Sequence, residues 1–319
     1  MPALLDPRRV HRRLIHLAVT IAAAGLGDPA AAGEPPVQVL VTPNKLYQAA
    51  ADALVTRLRD RGIDARLTVI EQDSPDEYLD RLREQRPRVI VTAGAGLTQR
   101  VLRAVPRTPV VFLMTTNTAD AEFLQAGSPH HDRVAGVPAD CDPADIARLL
   151  QASCARCGRL ALLMSERSRN TAAAIKRAAA RHGVTIDLIS ADRDRFPEAI
   201  EALNKGHYDG VVMIPDACVY NAANVRRLLL WGLRRKKAVW AFSEKVIRAG
   251  AYAGTYVAPE DVGNTAAGLV EQAVAHAAFS NPGVCYVPAR RAVNVRTASM
   301  IGLQREAGSL AAAVTRIQP

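Results

Sequence analysis

The chain has 319 residues, of which 49% are hydrophobic and 23% are charged, a composition that excludes a disordered, collagen-like or coiled-coil protein. Lys and Arg outnumber Asp and Glu by 41 to 31, and such a positive net charge would suit binding to nucleic acid or to a membrane surface. Only 4% of the residues are aromatic, too few to stack on single-stranded nucleic acid, and we expect no nucleic-acid partner.

Residues 1–32 have the pattern of a cleavable signal peptide. An arginine-rich start precedes an apolar stretch at 14–27 that is too short to span a bilayer comfortably, and alanines at 30–32 offer a cleavage site. We expect residues 33–319 to be exported to the periplasm, by a Sec or a twin-arginine route. A retained N-terminal anchor or a frayed helix is the alternative. The positive charges are Arg8, Arg9, Arg12 and Arg13.

Short apolar strands then alternate with amphipathic helices. In the first helix, apolar residues from Leu46 to Leu58 recur at the 3.6-residue period that puts them on one face. A loop rich in Gly, Pro, His and Asp follows, from Thr115 to about Pro138. The pattern predicts strands at 37–41, 65–70, 88–92 and 109–114 and helices at 46–58, 76–83 and 97–105.

The same alternation restarts at Asp142-Pro143, where an N-cap residue and a proline at the first helical position open a helix. The pattern predicts strands at 160–164, 184–189, 210–214 and 238–242 and helices at 144–152, 170–182, 197–204 and 221–233, followed by a helix at 259–279 and a short tail.

Strands that alternate with helices predict an α/β fold, because parallel strands need crossover connections that cover both faces of the sheet. We expect two similar doubly wound parallel-sheet lobes with a ligand cleft between them. Lobe one would comprise residues 33–137, completed by about 258–319, and lobe two residues 138–257.

The five cysteines of an exported chain leave at least one without an intramolecular partner. Cys154 and Cys157 have the spacing of a redox pair or half of a metal site, but no second Cys-x-x-Cys pair exists to complete a zinc site. We favour a local disulfide or an inert pair, and we expect no metal or cofactor. The remaining cysteines are Cys141, Cys218 and Cys285.

Several segments, in this order, resemble the ABC transporter substrate-binding proteins of the tryptophan/tyrosine-binding type, which have a type I periplasmic binding fold. The resemblance implies a monomer that clamps a small amino-acid-like or polar solute and delivers it to an ABC permease in the inner membrane. The segments are PVVF at 109–112 with TTNT at 115–118, RVAGV at 133–137, YDGVVMIPD at 208–216, FSEKVIRAGA at 242–251 and AVNVRTA at 292–298 with GL at 302–303.

Polar and aromatic residues at strand ends are the candidates for binding this solute. Asp216 would pair with a ligand ammonium group or, alternatively, cap a helix. The glycine-rich turn at 92–96 would offer backbone N–H groups to a carboxylate, or is an ordinary tight turn. The family's Thr-Asp-Pro is Thr-Asn-Thr at 116–118, which removes a carboxylate. The full set is Tyr47, Ala93, Gly94, Thr115, Thr116, Asn117, Asp216, Tyr220, Asn221 and Ser243.

Two other functions fit an exported two-lobed chain. A ligand-sensing protein that presents its solute to a membrane receptor or sensor kinase would share the same cleft. An exported enzyme is disfavoured, because the sequence contains no Gly-x-Ser-x-Gly, His-Glu-x-x-His or P-loop pattern.

Overall fold

The computed structural model describes residues 37–71, 75–153, 157–310 and 314–317, so the predicted signal peptide lies outside the described residues. The first part of the chain alternates strands and helices as its hydrophobic pattern predicts. Its elements are β1 (Val37–Val41), α1 (Lys45–Asp60), β2 (Ala65–Val69), α2 (Pro75–Gln85), β3 (Val89–Ala93), α3 (Ala95–Ala104), β4 (Val110–Leu113) and β5 (Val134–Val137).

The second part repeats this alternation and ends in a mixed tail. Its elements are α4 (Pro143–Ser153), β6 (Arg159–Met164), α5 (Arg169–Ala180), β7 (Thr185–Ser190), α6 (Phe196–Lys205), β8 (Gly210–Val212), α7 (Ala222–Arg235), β9 (Ala238–Ala241), α8 (Glu244–Arg248), β10 (Ala253–Tyr256), α9 (Pro259–His276), β11 (Gly283–Val284), β12 (Arg290–Asn294), α10 (Val295–Ile301), α11 (Gln304–Ser309) and β13 (Thr315–Ile317).

Two sheets organise these elements, and each forms the centre of one lobe. The first sheet has the order β11-β5-β4-β3-β1-β2, and all its pairs are parallel. The second has the order β13-β12-β10-β9-β8-β6-β7, with a single antiparallel pair, β10 with β12. In both lobes the first five strands follow the spatial order 2-1-3-4-5 of a doubly wound sheet. The predicted fold class is therefore confirmed.

Helices cover both faces of each sheet because the central strands are buried on both sides. Strands β1, β3 and β4 are buried at every position, as expected of parallel strands between two helical layers. On one face of the first sheet, α1 packs against α9. Gly263 of α9 permits this contact, because a Cβ there would collide with the backbone carbonyl oxygen of Ala50.

The tail of the chain is divided between the lobes, which corrects the expectation that residues 258–319 complete lobe one. Helix α9 and strand β11 do belong to the first lobe, but β12 pairs with β10, and β13 pairs with β12. Ala292, Val293 and Ile317 are buried in the cores of the second lobe. The chain therefore passes between the sheets three times, after Val137, after Tyr256 and between Val284 and Arg290.

Cys157 is in a disulfide bond, whereas Cys141, Cys218 and Cys285 are free. Cys154 lies outside the described residues. In the part of the chain that the structure describes, none of the helices has both the length and the hydropathy needed to cross a membrane.

Candidate functional site

A cavity of about 50 Å³ lies between the two lobes, at the carboxyl ends of strands β8 and β9. Thr118, from the loop after β4, lines it on the side of the first lobe. Asp140 lines it from the segment that connects the lobes. The second lobe contributes Ile214 and Phe242 at its strand ends, together with side chains of α4 and α5. The cavity is thus built by both lobes and by their connection.

The loop after β4 joins the two lobes by hydrogen bonds. Asn117 Nδ2 donates to the carbonyl oxygen of Pro215 at 2.8 Å. The Asp120 carboxylate accepts hydrogen bonds at the beginning of α5 from the backbone N–H groups of Asn170, at 2.8 Å, and Thr171, at 2.9 Å. Thr171 Oγ1 donates to the same carboxylate at 2.9 Å. An acidic residue of the first lobe therefore caps a helix of the second, as the helix dipole favours.

Backbone strain accompanies this loop. Met114 and Asn117 both have a φ of 54°, in the left-handed region that side chains other than glycine rarely adopt. Such conformations cost about 1–3 kcal/mol each and persist where the surroundings hold them. Here these two conformations occur in the loop whose residues Asn117 and Asp120 contact the second lobe.

Asp140 is a buried carboxylate that is only partly satisfied. Its Oδ2 accepts from the Thr118 backbone N–H at 2.9 Å and from Thr118 Oγ1 at 3.2 Å. Its Oδ1 has no hydrogen-bond partner in the structure. Burial raises the pKa of Asp140 above its usual value, although hydrogen bonds from Thr118 and from the backbone N–H of Asn117 oppose this shift. The sequence analysis missed this residue, and an acidic side chain three residues after strand β5 was the signal available.

Two further buried polar atoms without a hydrogen-bond partner belong to residues of the loop after β4. Thr115 is fully buried, and its Oγ1 has no partner; its carbonyl oxygen accepts from the N–H of Ala139 at 2.9 Å. Asn117 Oδ1 is also buried without a partner. Unpaired buried polar groups are rare and costly in folded proteins, and of these three residues Asp140 is the one that lines the cavity.

Asp216 is satisfied within the second lobe. Its Oδ2 accepts from the Ser165 N–H at 2.9 Å, from Ser165 Oγ at 2.7 Å and from Ser168 Oγ at 2.5 Å. Its Oδ1 accepts from the Cys218 N–H at 2.8 Å. Burial raises the pKa of Asp216, but the donors from Ser168 and Ser165 outweigh it, and the pKa lies below its usual value. This geometry favours the capping alternative over contact with a ligand ammonium.

Three other candidates in the second lobe have structural partners. The Tyr220 ring packs between Phe196 and Phe242, and the residue is only 8% exposed, so in this structure it has a packing role. Asn221 caps α7 by accepting from the Asn224 N–H at 2.8 Å. Ser243 caps α8 through its Oγ.

The remaining candidates lie in the first lobe, at a second cavity of about 420 Å³ that Tyr47, Ala93 and Gly94 help to line. Gly94 has a φ of 84° and begins α3 without a side-chain cap. A Cβ at Gly94 would lie 2.7 Å from the Tyr47 hydroxyl oxygen, so glycine is required under this ring. Thr116 is exposed. Because only first-lobe residues line this cavity, closure of the lobes has less influence on it than on the cavity beside Asp140.

Comparison with known proteins agrees with this architecture. Residues 50–281 match the family model of ABC transporter substrate binding proteins. A search of curated proteins finds no significant match to the chain.

Solved structures share the fold at low sequence identity. An ABC domain from Streptococcus pneumonia in complex with L-Trp is 14% identical, with a TM-score of 0.64, and the match covers 88% of this chain and 100% of that one. A substrate binding protein with adhesive properties from Clostridium difficile, in a ligand-free, open structure, is 13% identical with a TM-score of 0.69 over 88% of this chain and 99% of that one. A lac repressor dimer bound to operator is 12% identical, with a TM-score of 0.55, and covers 82% and 93%.

Proposed function

Because the chain belongs to the ABC transporter substrate binding protein family, we propose that it captures a small polar or amino-acid-like solute between its lobes and delivers that solute to an ABC permease in the inner membrane. Residues 1–32 direct its export, and the remainder acts in the periplasm as a monomer. It performs no chemistry on the solute and needs no cofactor.

The observation that carries this proposal is the set of unpartnered polar atoms on Thr115, Asn117 and Asp140. Thr115 and Asn117 lie in the loop after β4, Asp140 lies in the first connection between the lobes, and of the three only Asp140 lines the cavity that both lobes form. A solute with a hydrogen-bond donor in this cavity would remove the cost of leaving the Asp140 carboxyl oxygen unpaired, and the cavity is complete only where both lobes are in place.

Binding then shifts the balance between open and closed lobes. The bonds from Asn117 and Asp120 already join the lobes, but hydrogen bonds contribute only about 0.5–1.5 kcal/mol each after exchange with water. A solute that contacts both lobes binds the closed form more tightly, and closure follows from that difference in affinity. The permease would recognise the closed, loaded form.

A thermal-shift screen tests the proposal. The purified chain is heated with amino acids, aliphatic amines, nucleobases and small carboxylates, each at constant ionic strength. A solute at about 100 times its Kd stabilises the folded state by about 2.7 kcal/mol, a rise in Tm of roughly 5 °C. One clear class of ligands supports a solute-binding role. Absence of a shift with every class would contradict it and favour a protein partner instead.

A further inference from the structure

Helix α7 and the turn after it carry a dense positive charge. Residues 222–237 contain six Arg or Lys residues and no Asp or Glu. Arg226, Arg227, Arg234 and Arg235 are exposed, and their guanidinium groups make no ion pair or hydrogen bond with the part of the chain that the structure describes. The helix dipole favours cations in the last turn, but Arg226 and Arg227 lie two turns earlier. The dipole therefore does not account for the whole cluster.

The neighbouring helix extends this positive surface. Helices α7 and α8 connect consecutive parallel strands, and their inner residues Leu228 and Ile247 pack in the same core, so both helices cover one face of the second sheet. The single acidic residue of α8, Glu244, pairs with Arg248. We define the basic face as the exposed side chains of Arg226, Arg227, Arg234, Arg235, Lys236 and Lys245.

One large apolar side chain lies within the basic face. Leu230 is 39% exposed, and α7 and α8 expose no other large apolar side chain to this extent. Because residues four apart share one side of a helix, Leu230 lies in a row between Arg226 and Arg234. A specific protein interface of about 1,000 Å² or more has an apolar core that is depleted of charge. A single leucine among cations favours a membrane surface over such an interface.

We propose that the basic face binds the surface of a membrane that contains anionic phospholipids. The guanidinium groups donate hydrogen bonds to lipid phosphates, for which their planar fork is well suited, and Leu230 enters the headgroup region. The inference goes beyond the proposed function, because it concerns where the protein is held and not what it captures. It rests on the proposed export only for the identity of the membrane, the outer surface of the inner membrane.

Binding through this face leaves the interlobe cavity uncovered. The cavity lies at the carboxyl ends of β8 and β9, and none of the residues of α7 or α8 lines it. Helix α7 runs toward the opposite edge of the sheet, because it ends at Arg235, shortly before β9 begins at Ala238. The protein can therefore open and close its lobes on the membrane, next to an inner-membrane permease.

Vesicle sedimentation tests the basic face. Residues 33–319 are used, because all the strands and helices that the structure describes lie within them and an apolar N-terminal segment binds vesicles by itself. The protein is mixed at low ionic strength with vesicles of phosphatidylcholine alone or of phosphatidylcholine and phosphatidylglycerol. The basic-face variant carries Arg226→Gln, Arg227→Gln, Arg234→Gln and Arg235→Gln.

The matched control removes the same charge from exposed arginines of the first lobe. It carries Arg57→Gln, Arg59→Gln, Arg103→Gln and Arg107→Gln and leaves the basic face intact. Glutamine is a good helix former, so α7 is retained in the basic-face variant, and circular dichroism verifies that both variants are folded. A sodium chloride titration of the wild-type protein gives a measurement that needs no variant.

We expect the wild-type protein to bind vesicles with phosphatidylglycerol and not vesicles of phosphatidylcholine alone. Each cation held at an anionic membrane strengthens binding about fivefold, so the basic-face variant should bind at least about tenfold more weakly and the control variant like the wild-type protein. Binding should also weaken as sodium chloride screens the charges.

Equal binding to both kinds of vesicle, or an equal loss of binding in both variants, would overturn the assignment to the basic face. No binding to vesicles with phosphatidylglycerol would overturn the membrane proposal and favour an acidic protein surface as the partner. The proposed function fails separately. The basic-face variant keeps every residue that lines the cavity, so its Tm shift with a solute should equal that of the wild-type protein whatever the vesicles show.

Discussion

Asp216→Asn removes one negative charge and keeps the shape of the side chain. It therefore tests whether the Asp216 carboxylate stabilises the fold or binds the ligand. In the native protein, Oδ2 accepts three hydrogen bonds from Ser165 and Ser168, and Oδ1 accepts one from the Cys218 N–H. The Asn amide has a single acceptor oxygen. If that oxygen faces the serines, its NH2 group confronts the N–H of Cys218, and the reverse orientation is worse.

The cost follows from these four contacts. Hydrogen bonds to a charged group contribute about 1.5–3 kcal/mol, and a buried donor left unpaired costs about 1–3 kcal/mol. We expect Asp216→Asn to lose about 2–4 kcal/mol of unfolding free energy, which lowers Tm by roughly 5–10 °C. Solute affinity should not change, because the carboxylate faces its own lobe.

The pH dependence gives a second signature with a defined sign. Because the folded-state pKa of Asp216 lies below its unfolded value, its contribution is present at neutral pH and is lost as the pH falls through that folded-state pKa. The unfolding free energy of the wild-type protein should therefore decrease more steeply below about pH 4 than that of Asp216→Asn.

Asp140→Asn should behave in the opposite way. The pKa of Asp140 is raised by burial, so its ionisation in the solute-free protein disfavours folding once the pH exceeds the unfolded value, and the neutral amide removes this cost. Urea unfolding of both variants, followed by circular dichroism at neutral pH, measures the two changes. If both variants lose similar stability, or if Asp216→Asn keeps wild-type stability and loses solute affinity, the division of roles between the two carboxylates is refuted.

Two further predictions concern how the helices and the lobes are held together. Asp120→Ala removes the cap across the cleft and should favour open lobes by about 1–3 kcal/mol, seen as a larger radius of gyration in solution scattering. Asp192→Ala, which removes hydrogen bonds to the backbone of a turn within one lobe, should leave the radius unchanged. Gly263→Ala should lower the unfolding free energy by about 1–3 kcal/mol, because the new Cβ collides with Ala50. Gly268→Ala, on the same helix, places its Cβ where nothing lies within 4 Å and should be neutral or slightly stabilising. Wild-type stability in Gly263→Ala would contradict the packing of α1 on α9.

The fold could be predicted because it depends on patterns that are local in the sequence. Largely apolar runs such as residues 37–41 and 110–113 become strands buried on both faces, and the helices between them show one apolar face each. The family resemblance read from the ordered segments was confirmed by the match over residues 50–281. The path of the tail could not be predicted from such patterns. Val284 and Val293 are equally apolar, and the sequence around each residue does not indicate which of the two sheets its strand joins.

The site was harder to predict because it depends on distant donors. Asp140 and Asp216 both follow buried strands, and the sequence shows no difference between them. Ser165 and Ser168 lie about fifty residues before Asp216, and only the fold brings them to its carboxylate. The role of Asn117 likewise depends on the position of Pro215 in the other lobe. The roles of the candidates at strand ends thus depend on partners that the sequence alone does not show.

The central claim is that the solute lies in the cavity between the lobes, and calorimetric titration of a cavity-filled variant tests it most directly. Ala174 lines the cavity from α5, and its neighbour Ala173 does not. The solute identified by the screen is titrated into the wild-type protein, Ala174→Leu and Ala173→Leu. We expect Ala174→Leu to bind about tenfold more weakly or worse, because the larger side chain occupies the space of the solute, and Ala173→Leu to bind as the wild-type protein does. Wild-type affinity in Ala174→Leu would place the solute elsewhere and contradict the account.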